Sequence, residues 1–251
     1  MTIALAATWL PRGELARFQR LHAQMLKYFS NVVLIMPSDA DELAAIAGQM
    51  PEVEAVASDR WQHGRTEALK KALEKQTSHI LYSDFDRLLH WLEVYPDELA
   101  HVLKRVEDSE CLVIGRTTSA FASHPRCLRD TERIINDVFR HVTGLSFDIC
   151  VAARGFSRGA VERIIARTRA RSALGVDGEW LYILHKAGYP LEYIEVEGME
   201  WETPDQYRPF AADLAQRQEA ADSYDESTAN WAQRVYVAQQ IIGSLLQIAE
   251  E

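Results

Sequence analysis

The stretch His79-Ile80-Leu81-Tyr82-Ser83-Asp84-Phe85-Asp86 decides the fold, because a short apolar run ends there in two carboxylates one residue apart. Residues 80–82 have the length and side-chain types of a buried strand, which places Asp84 and Asp86 at its carboxyl end. Open α/β sheets bind their ligands at that end of the strands. Side chains two residues apart on an extended chain point the same way, so the two negative charges repel unless a cation or hydrogen bonds lie between them.

Oxygen-only ligation of this kind suits Mg²⁺ or Mn²⁺ better than zinc, so Asp84 and Asp86 are the predicted metal ligands. A second interpretation is equally open on spacing alone: the pair lies in a solvated turn, and one Asp caps the following helix. The histidines at 63, 79, 124 and 185 show neither H-x-H nor H-x-x-x-H spacing, which gives zinc chemistry little support.

The composition is that of an ordinary soluble globular protein. The chain has 251 residues, of which 47% are apolar and 25% charged, enough for one large α/β domain with a sizeable core. The formal charge of −10 argues against a general nucleic-acid or anionic-membrane surface, because such binding needs a positive footprint. A local basic pocket is still compatible with this charge.

Cysteine usage and hydropathy predict a cytoplasmic protein without an integral membrane segment. Cys111, Cys127 and Cys150 are odd in number and have no C-x-x-C spacing, so reduced thiols are predicted. Residues 3–10 form a short apolar run without a basic segment before it, which favours a first strand over a signal peptide. No apolar run approaches the ~20 residues of a membrane span.

Strand and helix patterns alternate along the chain, which predicts a mainly parallel sheet with helices on both faces. Strands are predicted at 2–9, 31–36, 53–57, 80–82, 111–115 and 191–196. Helices are predicted at 12–29, 41–49, 66–75, 88–95, 96–106 and 127–142.

A helical extension is predicted to follow this domain. Residues 204–226 are polar and poorly periodic, and an apolar stripe then follows at helical spacing, made of Trp231, Val235, Ala238, Ile242 and Leu245. Such a stripe needs a cover. We therefore expect a domain at 1–203 and an extension at 204–251 that packs on the domain or forms a homodimer seam.

Two segments in the first half of the chain resemble those of GT-A fold nucleotide-sugar glycosyltransferases, within them the family 2 enzymes related to polyprenyl-phosphate sugar transferases. His63-Gly64-Arg65 with Ala68-Leu69 is similar to the family's Gly-Lys/Arg-x-x-Ala-Leu helix start. Asp84-Phe85-Asp86 occupies the place of its metal-binding D-x-D.

Two segments in the second half continue the resemblance. Asp148 with Arg154-Gly155-Phe156 and Arg158 resembles the family's Asp-x-x-x-Gly-Phe-x-x-Arg-like segment. Residues 177–181, Asp-Gly-Glu-Trp-Leu, followed by Lys-Ala-Gly-Tyr at 186–189, are similar to its acidic helix start and Gly-Tyr strand entry. The four matches occur in the family's order and extend over most of residues 1–203.

The first two loops depart from the family pattern. The family usually has Pro-x-Tyr-Asn-Glu after the first strand and a doubled Asp after the second, where this chain has Ala6-Ala7-Thr8-Trp9 and Met36-Pro37-Ser38-Asp39. The resemblance implies that Ala7, Ser38 and Asp39 lie in the donor-nucleotide site. How they would recognise base and ribose is left open.

The resemblance implies a transferase that moves a hexose from a nucleoside-diphosphate donor to an unidentified acceptor, with inversion. Asp86 would hold Mg²⁺ or Mn²⁺, Asp84 would contact the nucleotide side, and Arg65 at a helix start would bind phosphate. A solvated helix-terminal arginine is the alternative for Arg65.

The second half of the chain would supply the base and the acceptor site. Asp177 and Glu179 are the candidate bases for the acceptor hydroxyl, with Asp177 favoured, although acidic residues suit a helix start regardless of catalysis. Arg154, Gly155 and Arg158 would bind an acidic group of the acceptor. Trp201 would flank a sugar ring.

Two other function classes remain open. A non-catalytic GT-A-like protein that binds a nucleotide or a partner is suggested by the altered first two loops. Residues 84–89, Asp-Phe-Asp-Arg-Leu-Leu, also look like the Asp-x-Asp-Gly-Thr-Leu start of haloacid-dehalogenase-type phosphohydrolases. Arg87 stands where that class needs Gly, and three predicted strands precede a motif that those enzymes carry near the start.

Overall fold

A seven-stranded sheet forms the centre of the computed structural model, which describes residues 3–170 and 172–250. The strands are β1 (Ile3–Thr8), β2 (Asn31–Pro37), β3 (Val53–Ser58), β4 (His79–Asp84), β5 (Cys111–Arg116), β6 (Ala153–Ser157) and β7 (Leu191–Val196). Their order across the sheet is β3-β2-β1-β4-β6-β5-β7.

Six strands run in one direction and only β6 is reversed. The pairs β1–β2, β1–β4, β2–β3 and β5–β7 are parallel, and β6 is antiparallel to both β4 and β5. The carboxyl ends of the six parallel strands therefore share one edge of the sheet with the amino end of β6. At that edge Thr8 pairs with Asp84, Ser83 with Ala153, and Arg116 with Val196.

Helices cover both faces of the sheet. They are α1 (Leu15–Met25), α2 (Asp41–Ala47), α3 (Gly64–Leu73), α4 (Phe85–Val94), α5 (Pro96–Glu107), α6 (Thr118–Ala122), α7 (Arg126–Thr143), α8 (Arg158–Arg167), α9 (Val176–Lys186), α10 (Leu214–Glu226) and α11 (Thr228–Ala249). One buried apolar cluster lies under α1, α2, α4 and α5, and a second lies under α3, α7, α8, α9 and α11. The predicted α/β architecture, a mostly parallel sheet flanked by helices, is confirmed.

Two elements were not predicted from the sequence, β6 and α10. Strand β6 contains Arg154 and Gly155, neither typical of a strand, and a Cβ at Gly155 would collide with the Val106 side chain of α5. Helix α10 begins with a capping box between Asp213 and Gln216 and buries few side chains, so its polar sequence has no apolar stripe to reveal it.

Helix α11 lies against α7 and α9 and buries Ala238, Ile241 and Leu245. The predicted stripe is wrong at Val235, which is 58% exposed. The buried face follows the helix contact with α7 and α9, which sequence spacing does not determine. None of the described helices is long and apolar enough to cross a membrane.

Candidate functional site

Asp84 ends β4 and lies at the centre of a polar cluster at the carboxyl edge of the sheet. Its Oδ1 accepts hydrogen bonds from the Thr8 hydroxyl at 3.0 Å and the Tyr82 hydroxyl at 2.9 Å. Its Oδ2 accepts from Nη2 of Arg65 at 2.9 Å. Asp84 is the residue before α4, yet its side chain makes no capping hydrogen bond. The helix-capping interpretation of this aspartate is therefore wrong.

Arg65, in the first turn of α3, joins Asp84 to Asp177 in the first turn of α9. Its Nη1 lies 2.8 Å and 2.9 Å from the two carboxylate oxygens of Asp177, and the whole residue is only 8% exposed. Burial lowers the pKa of the Arg65 guanidinium, but the carboxylates of Asp177 and Asp84 outweigh it and raise the pKa well above its ordinary value. Arg65 is thus a permanent buried cation between two helix starts and a strand end.

Arg154 on the reversed strand β6 holds Asp177 from the other side. Its Nη1 donates to Oδ1 of Asp177 at 3.2 Å, and its Nη2 donates to the Asp177 carbonyl at 3.0 Å and the Ile149 carbonyl at 2.6 Å. The side chain is 1% exposed. Asp84, Arg65, Asp177 and Arg154 therefore form one continuous chain of ion pairs, hereafter the edge network, which brings together residues from four separate elements.

Asp86, in the first turn of α4, is the carboxylate at this edge that lacks a side-chain partner among the described residues. Its Oδ1 accepts only the backbone N–H of Arg87, at 2.9 Å. Burial, together with the nearby charges of Glu202 and Asp84, raises the pKa of Asp86 to about 7. A carboxylate in this position is stabilised by any added cation.

Glu202 is a site residue that sequence reasoning missed. Its Oε1 lies 3.3 Å from Nη2 of Arg87, and its buried Oε2 has no hydrogen-bond partner. Arg87 also donates to the Val151 carbonyl at 2.5 Å. The acidic pair around Trp201 was visible in the sequence, but its approach to α4 depends on the path of the chain after β7.

Trp201 does not form the exposed aromatic platform expected from the sequence. It is 3% exposed and packs edge-on against Tyr224 with ring centroids 5.7 Å apart, and its backbone N–H donates to the Ser123 hydroxyl at 2.9 Å. Cys127 and Leu128 complete its surroundings. Since α10 and α7 cover the indole, this side chain has no face open to a sugar.

Gly155 and Arg158 are not brought to the site either. Gly155 faces Val106 on α5, and because side chains alternate along a strand, it lies on the opposite face of β6 from Arg154. Arg158 follows the far end of β6, where it donates to the Leu73 carbonyl at 2.8 Å and the Lys75 carbonyl at 3.1 Å. Because β6 is reversed, that end lies at the edge of the sheet away from Asp84.

Glu179 has a structural partner instead of an open site. Its oxygens accept hydrogen bonds from the Thr168 hydroxyl at 2.6 Å and the backbone N–H of Arg169 at 2.7 Å. Both donors belong to the segment that follows α8. Glu179 therefore ties that segment to α9, two residues from Asp177 but with different neighbours.

The expected donor-site residues lie at the carboxyl ends of β1 and β2. Ala7 is fully buried in β1, paired with Leu34 on one side and Ser83 on the other. Ser38 and Asp39 are exposed in a turn after β2. Asp39 is one of the residues lining an open groove of about 560 Å³, with Leu10, Pro11, Pro37, Ala40, Asp41, Glu42, Leu43 and Ile46.

A second buried ion cluster lies at the end of β5. Arg116 donates to both oxygens of Asp148, at 2.7 Å and 2.9 Å, and to Glu132 at 2.7 Å. Asp148 thus fixes the segment before β6, the segment in which the family resemblance was seen. His124 lies close to Arg116, and burial first, then that positive charge, lowers its pKa well below the ordinary value, so its imidazole is neutral.

Neither a scan against protein-family models nor a search of curated proteins finds a match for this chain.

Proposed function

We propose that this protein is a GT-A-like glycosyltransferase that transfers a hexose from a nucleoside-diphosphate donor. The observation that carries the proposal is the edge network with Asp86 beside it. Arg65, Asp84 and Asp177 come from three segments that resemble the family, and they meet at the sheet edge where α/β proteins bind nucleotides. Their meeting supports the proposal more than any one motif does.

The carboxylates fit a Mg²⁺ or Mn²⁺ ion that is completed by a ligand. Among residues 3–170 and 172–250, no three His, Cys, Asp or Glu side chains form a metal-binding group. Magnesium in nucleotide enzymes is usually held by one or two carboxylates, with water and phosphate oxygens in the other positions. Asp86 and Asp84 would hold the ion in this way, and when bound it supplies positive charge to the diphosphate leaving group.

Arg65 contributes a second positive charge from the chain itself. It lies in the first turn of α3, where backbone N–H groups and the helix dipole also favour an anion. On donor binding, we expect its guanidinium to exchange part of its contact with Asp177 for the diphosphate. Asp84 and Arg154 would keep both ends of the network in place during that exchange.

Asp177 is the base in this proposal, and the same exchange makes it available. In the absence of donor it is 3% exposed, and its oxygens accept hydrogen bonds from Arg65 and Arg154. When Arg65 turns toward phosphate, one carboxylate oxygen is free to accept the proton of an acceptor hydroxyl. Asp177→Asn should then lower turnover by about 10²–10⁴ and leave donor affinity nearly unchanged, measured as transfer rate and donor binding.

Glu179→Gln is the matched control for that measurement. It alters a carboxylate two residues away that binds Thr168 and the Arg169 backbone, so it should change the melting temperature without changing turnover. Full activity in Asp177→Asn would rule out a carboxylate base at this position and favour an acceptor that is already ionised.

Calorimetry with UDP and GDP, each with and without Mn²⁺, tests the proposed donor site. Asp86→Ala should abolish metal-dependent nucleotide binding without unfolding the protein, because it removes an unpaired charge. Asp97→Ala is the control, since Asp97 occupies the same position in the first turn of α5 and is exposed. Equal affinity in wild type and Asp86→Ala contradicts the metal site.

A non-catalytic GT-A-like binder is the second candidate, and a specific observation favours it. Arg65 already neutralises Asp84 and Asp177 within a closed buried network, so part of the site is complete without a ligand. Nucleotide binding without transfer across a broad acceptor panel would select this candidate. Trapping an aspartyl-phosphate analogue on Asp84 would instead select the phosphohydrolase.

A further inference from the structure

The segment that leaves β7, residues 197–205, crosses the sheet edge and is fixed to several helices; we call it the strap. Glu98 of α5 accepts the backbone N–H groups of Glu197 at 2.8 Å and Gly198 at 2.9 Å. A Cβ at Gly198 would collide with the Trp91 ring, so the backbone passes directly over α4. The strap delivers Glu202 to Arg87, beside Asp86.

His90 holds the strap from beneath. It lies in α4, one helical turn after Arg87, and its side chain is 0% exposed. Its Nδ1 lies 2.7 Å from Oδ2 of Asp205, and its Nε2 lies 3.0 Å from Oε1 of Glu200. Because a carboxylate only accepts, both ring nitrogens must donate, and only the imidazolium carries two N–H groups.

The groups around His90 balance its charge. Arg17 of α1 pairs with Asp205 at 2.9 Å and also with Glu93 of α4, whose second oxygen meets the more exposed Arg20. Arg217 of α10 pairs with Glu200 at 3.0 Å, and the Tyr95 hydroxyl donates to Glu200 at 3.3 Å. These contacts and the two carboxylates bonded to the ring are the charged and titratable groups that the structure records around His90.

We propose that the His90 imidazolium is the latch that keeps the strap closed and thereby positions Glu202 on Arg87 beside the cation and nucleoside-diphosphate site. His90 is a positioning residue, because it touches neither Asp86 nor Glu202. When His90 loses its proton, one of the two buried carboxylates loses its donor, and the strap opens. Arg87 is then left without Glu202, and its uncompensated positive charge beside Asp86 disfavours a divalent cation.

The direction of the pH effect follows from the environment of His90. Burial lowers its pKa, but the hydrogen bonds and charges of Asp205 and Glu200 outweigh burial and raise it above the ordinary 6.5. A raised folded-state pKa means that the latch acts fully below pH 6.5 and is lost as the pH rises through the folded-state value. The strap is therefore closed in mild acid and opens on the alkaline side.

Hydrogen exchange of the wild-type strap, corrected for intrinsic rates, tests the latch without any ligand. The reporters are the amides of Trp201, Asp205 and Ala212, whose hydrogen bonds lie within the strap or depend on Asp205. Their opening constant should rise about tenfold per pH unit between 6.5 and the folded-state pKa of His90, then level off. Amides of β1 provide the internal reference and should show no such rise.

Two variants complete this arm. His90→Gln removes the charge, so the strap amides should exchange rapidly at every pH and lose the pH dependence. His101→Gln, an exposed histidine on α5, should behave as wild type. Strap protection that stays constant with pH in the wild type, or survives in a folded His90→Gln, overturns the latch. Should His90→Gln fail to fold, the wild-type titration alone decides.

The second arm, which rests on the proposed function, is calorimetry of Mn²⁺ with UDP or GDP at a fixed pH of about 7. The reasons above predict that His90→Gln weakens binding about tenfold, and that Glu202→Gln weakens it similarly without opening the strap. Absence of nucleotide binding in the wild type would contradict the proposed function and leave the exchange result intact. Unchanged nucleotide affinity in a variant with an open strap would overturn the coupling to the site.

Discussion

The edge network and the charged cluster around His90 lie at two levels of the same helix, α4, and they differ in what remains unpaired. The His90 cluster binds each of its carboxylates to at least one cation, and it fixes the strap. The edge network is paired as well, but Asp86 beside it has no side-chain donor among the described residues. Pairing alone therefore indicates structure, and an unpaired carboxylate next to a paired network indicates a ligand site.

The largest effect in this comparison is expected from Arg65→Met, which breaks the edge network. It removes the cation between Asp84 and Asp177 and leaves a buried carboxylate short of a partner, which costs about 3–5 kcal/mol. A chain of this length should then melt about 10 °C lower. Thermal unfolding checks this, with Arg65→Lys as the charge-conserving control; an unchanged melting temperature would mean that the network contributes nothing to stability.

A smaller effect is expected from His90→Gln, and it depends on pH. Below pH 6.5 the loss of the imidazolium should cost about 2 kcal/mol, since the neutral amide cannot compensate both carboxylates. As the pH rises through the raised folded-state pKa, the wild type loses the same stabilisation and the two proteins should converge. Melting curves from pH 5.5 to 9 measure this, and a constant difference contradicts the charged state of His90.

Asp84→Asn should cost only about 1 kcal/mol, because Asp84 is partly exposed and the amide oxygen still accepts from Thr8 and Tyr82. Its effect on function should be larger: the pair with Arg65 loses its charge, and one proposed metal ligand loses its affinity. Denaturant unfolding and nucleotide calorimetry on the same preparation separate the two effects. A large loss of stability would assign Asp84 to the fold and not to the site.

Asp130→Asn shows whether burial or mere pairing produces these effects. Asp130 pairs with Arg126 at 3.2 Å and Arg133 at 2.8 Å on the exposed face of α7. Surface pairs of this kind contribute about 0–1 kcal/mol, and salt screens them. We expect a melting temperature within about 2 °C of wild type at 0.15 M salt. A loss comparable to that of His90→Gln would contradict the distinction.

Val235→Glu should have the smallest effect on stability, within about 0.5 kcal/mol, because the residue is 58% exposed. Ile241→Glu, at a residue 2% exposed on the same helix, is the contrasting variant and should destabilise strongly. Light scattering distinguishes the remaining possibility. If Val235→Glu converts a dimer into a monomer, the exposed Val235, Tyr236 and Leu246 form the homodimer seam that we consider for α11.

Much of the fold could be predicted from local sequence, because strands and helices with one buried face carry a periodic pattern. The predicted strand at 191–196 coincides with β7, and the predicted strand at 31–36 is one residue shorter than β2. Strand β6 escaped because its Gly155 packs on α5 and its Arg154 is buried by pairing, and neither follows a hydrophobic alternation. Helix α10 escaped because it is polar on nearly every side.

The candidate site was predicted only in part. Chain motifs located Asp84, Asp86, Arg65, Asp177 and Arg154, and the structure brings them to one edge of the sheet. The sequence could not indicate that Arg158 lies at the other edge, since that depends on the reversal of β6. It also could not show that α10 and α7 bury Trp201, or that the strap carries Glu202 to Arg87.

The sequence by itself determined the alternation of elements, the strand that ends in Asp84, and the residue types available for chemistry at that end. These depend on short-range physics: side-chain periodicity, helix starts and the repulsion of neighbouring carboxylates. Only the tertiary structure decided which charges are paired and which are not. Ion pairing joins residues about 20 to 115 positions apart, as between Arg65 and Asp84 or His90 and Asp205, and such contacts depend on how the strands are ordered and where the chain crosses the sheet.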